Sequence, residues 1–461
     1  MSQRTRLRRT SYLLLIAVTL LTLLCLCPHG AFATESQEDP YGPIVGINLG
    51  SVNSRIAVFR DGEVEMIDTI PSLSPNAYPQ PLDVMREEAI SQLFQNLKER
   101  ADAYLGDNVT HTVVTIPERY GNAERQAIKS AAKIAGLEAL RIVNEPVAVV
   151  HAHGLNEVYE DMKVLIFDFG GVTCDVTLLS IEDGVSETLA SASDSSIGGE
   201  RITDRLVERL VSAYEIEIGA LVPTDDSEDI SKLRRYVEQA KRFVSQRFAW
   251  QEIHEIPTFE GEDGYITQWL LESLSEDLFA HSIDLVDQVL EDANVTKEEV
   301  DKIILAGGSS RIAKVQDLLQ EHFAKEPTID INPEKAAVRG AAIYGNKLRF
   351  VQPDACCCCD WPLWPHQLGI ETCDGIVKYI PVLPVVPFRR TYNFSTFKDD
   401  QTSVRIGVYS GERPYAKDNL LIESFELKGI APAPRGVSQI EVTFEIDSDF
   451  YLQVSALDRA T

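Results

Sequence analysis

Three apolar, β-branched-rich runs, far apart in the chain, each break abruptly at glycine: Ile44-Val-Gly-Ile-Asn-Leu-Gly-Ser51, Leu165-Ile-Phe-Asp-Phe-Gly-Gly-Val-Thr-Cys-Asp175 and Ile303-Ile-Leu-Ala-Gly-Gly-Ser-Ser-Arg311. Such a run reads as a strand that delivers a tight turn, and a turn bare of side chains lets backbone amides approach a phosphate. The first two runs also place a polar group, Asn48 or Asp168, just ahead of the glycine. That layout suits a nucleoside triphosphate and its magnesium. One glycine after a strand is ordinarily only a turn; three such strands in one chain argue for a phosphate-binding α/β fold.

The texture around these runs agrees. From Val45 to Leu348 strand-like and helix-like segments alternate, beginning with three successive strands over Ile44 to Ile67. Strands are expected at Thr112 to Ile116 and Lys163 to Phe167, and helices at Ala123 to Ala135, Asp229 to Ser245 and Ser273 to Ala293. This reads as an α/β region of two lobes with a ligand crevice between them. From Pro362 onward prolines and glycines punctuate short alternating strands such as Val404 to Val408 and Ile440 to Ile446, which reads as an antiparallel β domain. Residues 351–361 form the join, and the sequence carries no internal repeat.

The chain opens with a basic head (Arg4, Arg6, Arg8, Arg9), an apolar run from Tyr12 to Cys27 and a small-x-small site at Ala31-Phe-Ala33, the pattern of a secretory signal peptide over residues 1–33. Its removal takes away four arginines and no acid, so a formal charge of −28 becomes −32. Nucleic acid and anionic membrane surfaces are therefore unsuited as partners. Asn108, Asn294 and Asn393 begin sequons that a secretory lumen would make available. Of eight cysteines, Cys25 and Cys27 leave with the signal, and the consecutive Cys356 to Cys359 lack the spacing a tetrahedral zinc site needs.

Beyond the glycine runs, Val143-Asn-Glu-Pro-Val-Ala-Val149, Ile197-Gly-Gly-Glu200, Val237-Glu-Gln-Ala-Lys-Arg242 and Gly429 to Phe444 stand in an order that resembles the seventy-kilodalton heat-shock chaperones, most nearly their secretory-pathway, BiP-like members. The resemblance runs from about Gly42 to the last residue. It implies an actin-like nucleotide-binding domain over 42–350, a Cys-rich linker over 351–361, and a partial peptide-binding β-sandwich over 362–461 with no lid. It implies ATP or ADP with Mg2+ as cofactor. It also implies unfolded or nascent polypeptides as partners, with J-domain co-chaperones and nucleotide-exchange factors acting on the same domain.

The family correspondence then gives roles residue by residue. Gly50 and Ser51 from one lobe, and Gly170, Gly171 and Thr173 from the other, face the phosphates, with Gly199 beside them. Asp168 and Glu145, with Thr173, form the catalytic group, and Asn48 and Asp168 hold the metal through water. Glu238, Lys241, Arg242 and Ser245 recur at i, i+3, i+4, i+7; spacing alone favours a solvated salt-bridge face, and the resemblance makes them the adenosine cradle, with Gly307, Gly308, Ser309, Arg311 and Glu334 opposite. In the β domain Ile370, Cys373, Phe394, Phe397, Val404 and Ile406 match groove-lining positions, though alternating apolar residues are core by default.

The departures matter as much. Asn48 replaces a family aspartate, and Val172 replaces a glycine, which is expected to distort that loop. Between Pro71 and Tyr104 the chain has about thirty residues where the family has many more, including a lysine at the γ-phosphate, and no lysine occurs before Lys98. The chain also stops at Thr461 without a lid or a retrieval tail. The expectation is a lumenal, nucleotide-binding chaperone relative whose ATPase activity is weak or lost. The competing reading is a non-hydrolysing regulator of a full-length chaperone, or a gene model missing an exon.

Overall fold

The computed structural model describes residues 41–72, 84–158, 160–182, 184–218, 228–245, 254–257, 263–349, 368–372, 375–380, 388–410, 415–446 and 452–459. The chain divides into Met1–Pro40 and Tyr41–Thr461. The residues expected to form a signal peptide (1–33) and a linker (351–361, with Cys356 to Cys359), and Cys373, fall outside the described residues. Among the described residues no helix is long and apolar enough to cross a membrane.

The first glycine run supplies β1 (Ile44–Leu49), which is buried along its whole length, as a strand covered on both faces must be. β2 (Asn53–Arg60) and β3 (Glu63–Pro71) follow it as an antiparallel meander. Next come α1 (Val84–Leu105), β4 (His111–Ile116), α2 (Asn122–Ile134) and β5 (Glu138–Asn144). β4 pairs in parallel with β1 and β5 in parallel with β4, giving a mixed sheet of order β3-β2-β1-β4-β5. α1 follows β3 in the stretch that the resemblance expects to be shorter than the family's. It buries Ile90, Leu93, Phe94, Leu97 and Ala101 on one helical stripe, and these join Ile47, Ile56, Val114 and Ile142 in one core. One helix thus closes a face of the first sheet.

α3 (Glu145–Ala152) follows β5 without a loop, and β6 (Met162–Phe169), β7 (Cys174–Glu182) and β8 (Val185–Asp194) form a second antiparallel meander. The helices α4 (Gly199–Ile218) and α5 (Glu228–Val244), the hairpin β9 (His254–Pro257) and β10 (Asp263–Ile266), and α6 (Gln268–Asp292) lead to β11 (Lys302–Ala306). α7 (Ala313–Phe323) and α8 (Ala336–Leu348) complete this part. β11 lies parallel to β6, and the order is β11-β6-β7-β8. The second sheet therefore repeats the plan of the first: a three-strand meander whose first strand takes a later strand alongside in parallel. The repeat is one of topology, invisible as residue similarity. Phe167, Phe169, Leu178, Leu206, Val237, Phe279 and Leu305 lie in its core.

The expected strands and helices lie within a few residues of those observed, with one larger shift. α6 starts five residues before the expected Ser273, because Thr267 caps it, its hydroxyl accepting from the Leu270 amide at 3.1 Å. Trp269 in that first turn is exposed, so apolar periodicity gives no sign of it.

The last part holds β12 (Leu368–Glu371), β13 (Val377–Ile380), β14 (Phe388–Phe394), β15 (Ser403–Ser410), β16 (Leu420–Lys428), β17 (Ile440–Ile446) and β18 (Leu452–Asp458). They form antiparallel sheets of order β13-β12-β15-β16 and β14-β17-β18. Every second residue of β17 is buried, and Ile440, Val442, Phe444 and Ile446 share a core with Leu368, Ile370, Ile406 and Val408 of the other sheet. Ile370 and Ile406 thus have the core position that alternation gives by default. Phe394 and Val404 pack partly buried against that core, and Phe397 is half exposed.

Candidate functional site

The two meanders present the same element to one place. The β1–β2 turn and the β6–β7 turn both open on a single cleft, a concave site of the kind in which ligands bind. Every residue named from sequence for phosphate, metal or adenosine lines it: Asn48, Gly50, Ser51, Glu145, Asp168, Gly170, Gly171, Thr173, Gly199, Glu238, Lys241, Arg242, Ser245, Gly307, Gly308, Ser309, Arg311 and Glu334. The peptide-side residues do not.

The two turns touch. A Cβ at Gly171 would lie 2.2 Å from Cγ2 of Val52, so a side chain there would push the turns apart. The Gly170 amide donates to the Thr173 carbonyl at 2.9 Å and the Gly199 amide to the Gly170 carbonyl at 3.1 Å, which ties the β6–β7 turn to the start of α4. None of Gly170, Gly171 and Val172 has positive φ. Val172 is therefore accommodated without left-handed strain, contrary to the distortion expected of it, and it does not line the cleft. Gly307 is the glycine this site requires: its φ is +75°, and a Cβ would stand 2.3 Å from Oδ1 of Asp168.

At one end of the cleft stand Asp168, Glu145 and Asp175. Burial, then the neighbouring charges of Glu145 and Asp175, push the Asp168 carboxyl well above its ordinary range. Burial and the charge of Asp175 push Glu145 up to about 7, against the bond from Asn48 and the charge of Arg119. Asn48 donates from Nδ2 to Glu145 Oε1 at 2.6 Å and to Thr115 Oγ1 at 2.9 Å. An aspartate here would face Glu145 as a like charge; the amide meets it with a donor. Among the described residues no three metal-ligating side chains converge to hold an ion directly. Crowded, partly buried carboxylates beside bare turns fit a cation held through water and phosphate oxygens.

At the other end α5 delivers its polar stripe. Lys241 is buried and spends its donors inside the protein, on the Gly199 carbonyl at 2.7 Å, Thr203 Oγ1 at 2.9 Å and Glu238 Oε2 at 2.5 Å. It fastens α5 to α4. Burial would raise the Glu238 carboxyl, but Lys241, Arg242 and Thr203 hold it below its usual value. Arg242 and Arg311 are about half exposed and share the Glu334 carboxylate, at 3.9 and 3.6 Å. Ser245 is buried, its hydroxyl donating to the Lys241 carbonyl at 2.5 Å.

Among the lining residues to which the sequence gives no role are Arg55, Arg119 and Asp175. Arg55 of β2 reaches Glu334 at 2.9 Å, joining the first sheet to the segment ahead of α8. Its signal is a cation directly ahead of the apolar run Ile56 to Phe59. Arg119 pairs with Asp175 at 2.7 Å. Its signal was position, since it follows the carboxyl end of a parallel strand, where α/β sheets bind ligands.

Donors at one end, partly buried acids at the other and bare turns between fit a magnesium nucleotide, its base and ribose toward Arg242 and Arg311. The comparison with known families agrees with this geometry: the model described as Hsp70 protein matches residues 80–461. Proteins of that family bind ATP or ADP with Mg2+ and act on unfolded polypeptides with co-chaperones, and their ATPase domain is a mixed α/β fold of several sheets, as found here. β1 to β3 precede the matched span, yet β1 pairs in register with β4 inside it. The chain belongs to the Hsp70 family of ATP-binding heat-shock chaperones.

Proposed function

We propose that the chain binds ATP or ADP with Mg2+ in this cleft as a divergent, BiP-like chaperone of the endoplasmic reticulum lumen, with hydrolysis slowed or lost. The observation that supports this best is the convergence of every nucleotide-side residue named above on one cleft. Residues 42–350 act as the two-lobed actin-like domain and 362–461 as a partial peptide-binding sandwich, in which backbone pairing and an apolar surface that includes Phe397 receive unfolded peptide. Asp168 and Glu145, with Thr173, stand toward the terminal phosphate, and Asn48 and Asp168 orient the metal's water shell. Residues 1–33 direct the chain into the secretory pathway. The second reading, a non-hydrolysing regulator of a full-length chaperone, is favoured by Asn48, whose amide hydrogens both go to Glu145 and Thr115 and which brings no charge to the metal.

Arg242→Ala tests the adenosine end. Arg242 is half exposed and its ion pairs are surface pairs, worth little to stability. The melting temperature of the ligand-free variant is expected to stay within about a degree of the parent, while ADP affinity falls by about tenfold in calorimetry. Equal affinity in variant and parent would return the stripe to a solvated salt-bridge face.

A further inference from the structure

Arg119 stands at the acidic end of the cleft. It is carried by the loop after β4, and its Nη1 donates to Asp175 Oδ1 at 2.7 Å and to Ser193 Oγ at 3.4 Å. Asp175 opens β7, so the pair links the first sheet to the second. The other oxygen of Asp175 accepts from the Thr173 hydroxyl at 2.6 Å, which sets the guanidinium beside the β6–β7 turn. Its charge is felt by both Asp168 and Glu145. About a third of the side chain is exposed, and its Nε and Nη2 make no hydrogen bond among the described residues. The other lining cations are placed differently: Lys241 is saturated, and Arg55, Arg242 and Arg311 gather on Glu334.

We propose that Arg119 is the residue by which this chain distinguishes a nucleoside triphosphate from a diphosphate, its guanidinium leaving Asp175 for the terminal phosphate oxygens. The inference rests on the nucleotide reading of the cleft and adds a residue to it. A guanidinium forks onto phosphate as it does onto carboxylate, with a higher charge to meet. The exchange needs no movement of either sheet, because Asp175 keeps Thr173 as a partner. A diphosphate seated by the same turns and the adenosine end would stop short of Arg119 and leave its pair with Asp175 intact.

Calorimetry with Mg2+ and either ADP or the non-hydrolysable triphosphate adenylyl imidodiphosphate, on the parent, Arg119→Ala, Arg119→Lys and Asp175→Asn, tests this. Arg119→Ala is expected to weaken the triphosphate analogue by about tenfold or more and ADP by less than about threefold. Arg119→Lys keeps the charge without the fork and is expected to fall between. Asp175→Asn releases the guanidinium and is expected to tighten the triphosphate analogue alone. Loss of both nucleotides together in Arg119→Ala and Arg119→Lys would make Arg119 structural and overturn the proposal, as would unchanged affinity for both. A parent that binds neither nucleotide would overturn the nucleotide reading itself, a different result from a parent that binds both while Arg119→Ala binds them equally well.

Discussion

Single-turnover ATP hydrolysis by this chain is expected to run about a hundredfold or more below that of an Hsp70 protein that carries the family's γ-phosphate lysine, under the same conditions. The resemblance places a lysine that meets charge developing on the γ-phosphate in a stretch where this sequence has no lysine before Lys98, and preorganised charge of that kind contributes on the order of several kcal/mol. α1 lies within the span that the family model matches and packs into the core of the first sheet, and its one lysine, Lys98, pairs with Asp102 and does not line the cleft. Arg119 leaves the expectation in place, since a guanidinium that meets the bound phosphate in the ground state stabilises ground and transition states alike. Asp168→Asn is accordingly expected to lower the residual rate little further. A burst at the family's ordinary rate, abolished by Asp168→Asn, would show instead a working ATPase with another group in the missing lysine's role.

The largest effect on stability is expected at Gly340. There α8 crosses α3 so closely that a Cβ would lie 1.7 Å from the carbonyl oxygen of Ala148 and 2.5 Å from its carbon. Both are backbone atoms of a helix, so no rotamer change relieves the clash and the helices must separate. Overpacking costs about 1–3 kcal/mol where neighbours can yield, and more where they are backbone. Gly340→Val is expected to lose about 3 kcal/mol or more, far beyond the few tenths of a kcal/mol of helix propensity that valine regains over glycine. Function should follow, because α3 begins at Glu145 and α8 lies just after Glu334, so the crossing sets one end of the cleft against the other. Gly121→Ala, whose Cβ would meet only a Glu124 oxygen at 3.4 Å, serves as the control and is expected to change little. Equal denaturation midpoints for Gly340→Val and the parent would mean that the helices do not pack this closely.

The parts of this molecule legible in the sequence are those with a continuous signal. β1, β6 and β11 announce themselves because buried strands are uninterrupted apolar runs, and the glycines that end them mark the cleft. The stripe on α5 is visible as spacing, but its division of labour is not. Lys241 and Arg242 are adjacent and alike in sequence, yet one is a saturated internal anchor and the other a half-exposed donor, a difference set by the neighbouring helix α4. Val172 shows the opposite error: a glycine-to-valine change in a turn suggests strain, but that position takes a φ open to any residue. Arg55 and Arg119 escape notice because their partners, Glu334 and Asp175, are distant in sequence and the pairings exist only once both meanders face one cleft. The repeated sheet plan is hidden for a related reason, since topology constrains burial pattern and not residue identity.

The account rests on adenine nucleotide entering the cleft with magnesium, and calorimetric titration of the folded protein with ADP and with ATP tests it most directly. Contacts at both ends of the cleft remain while one metal-side charge is gone, so binding of ADP is expected with a dissociation constant in the micromolar range or somewhat weaker, tightened by Mg2+. Absence of any binding heat for either nucleotide at about millimolar concentration, with the protein shown to be folded, would contradict it.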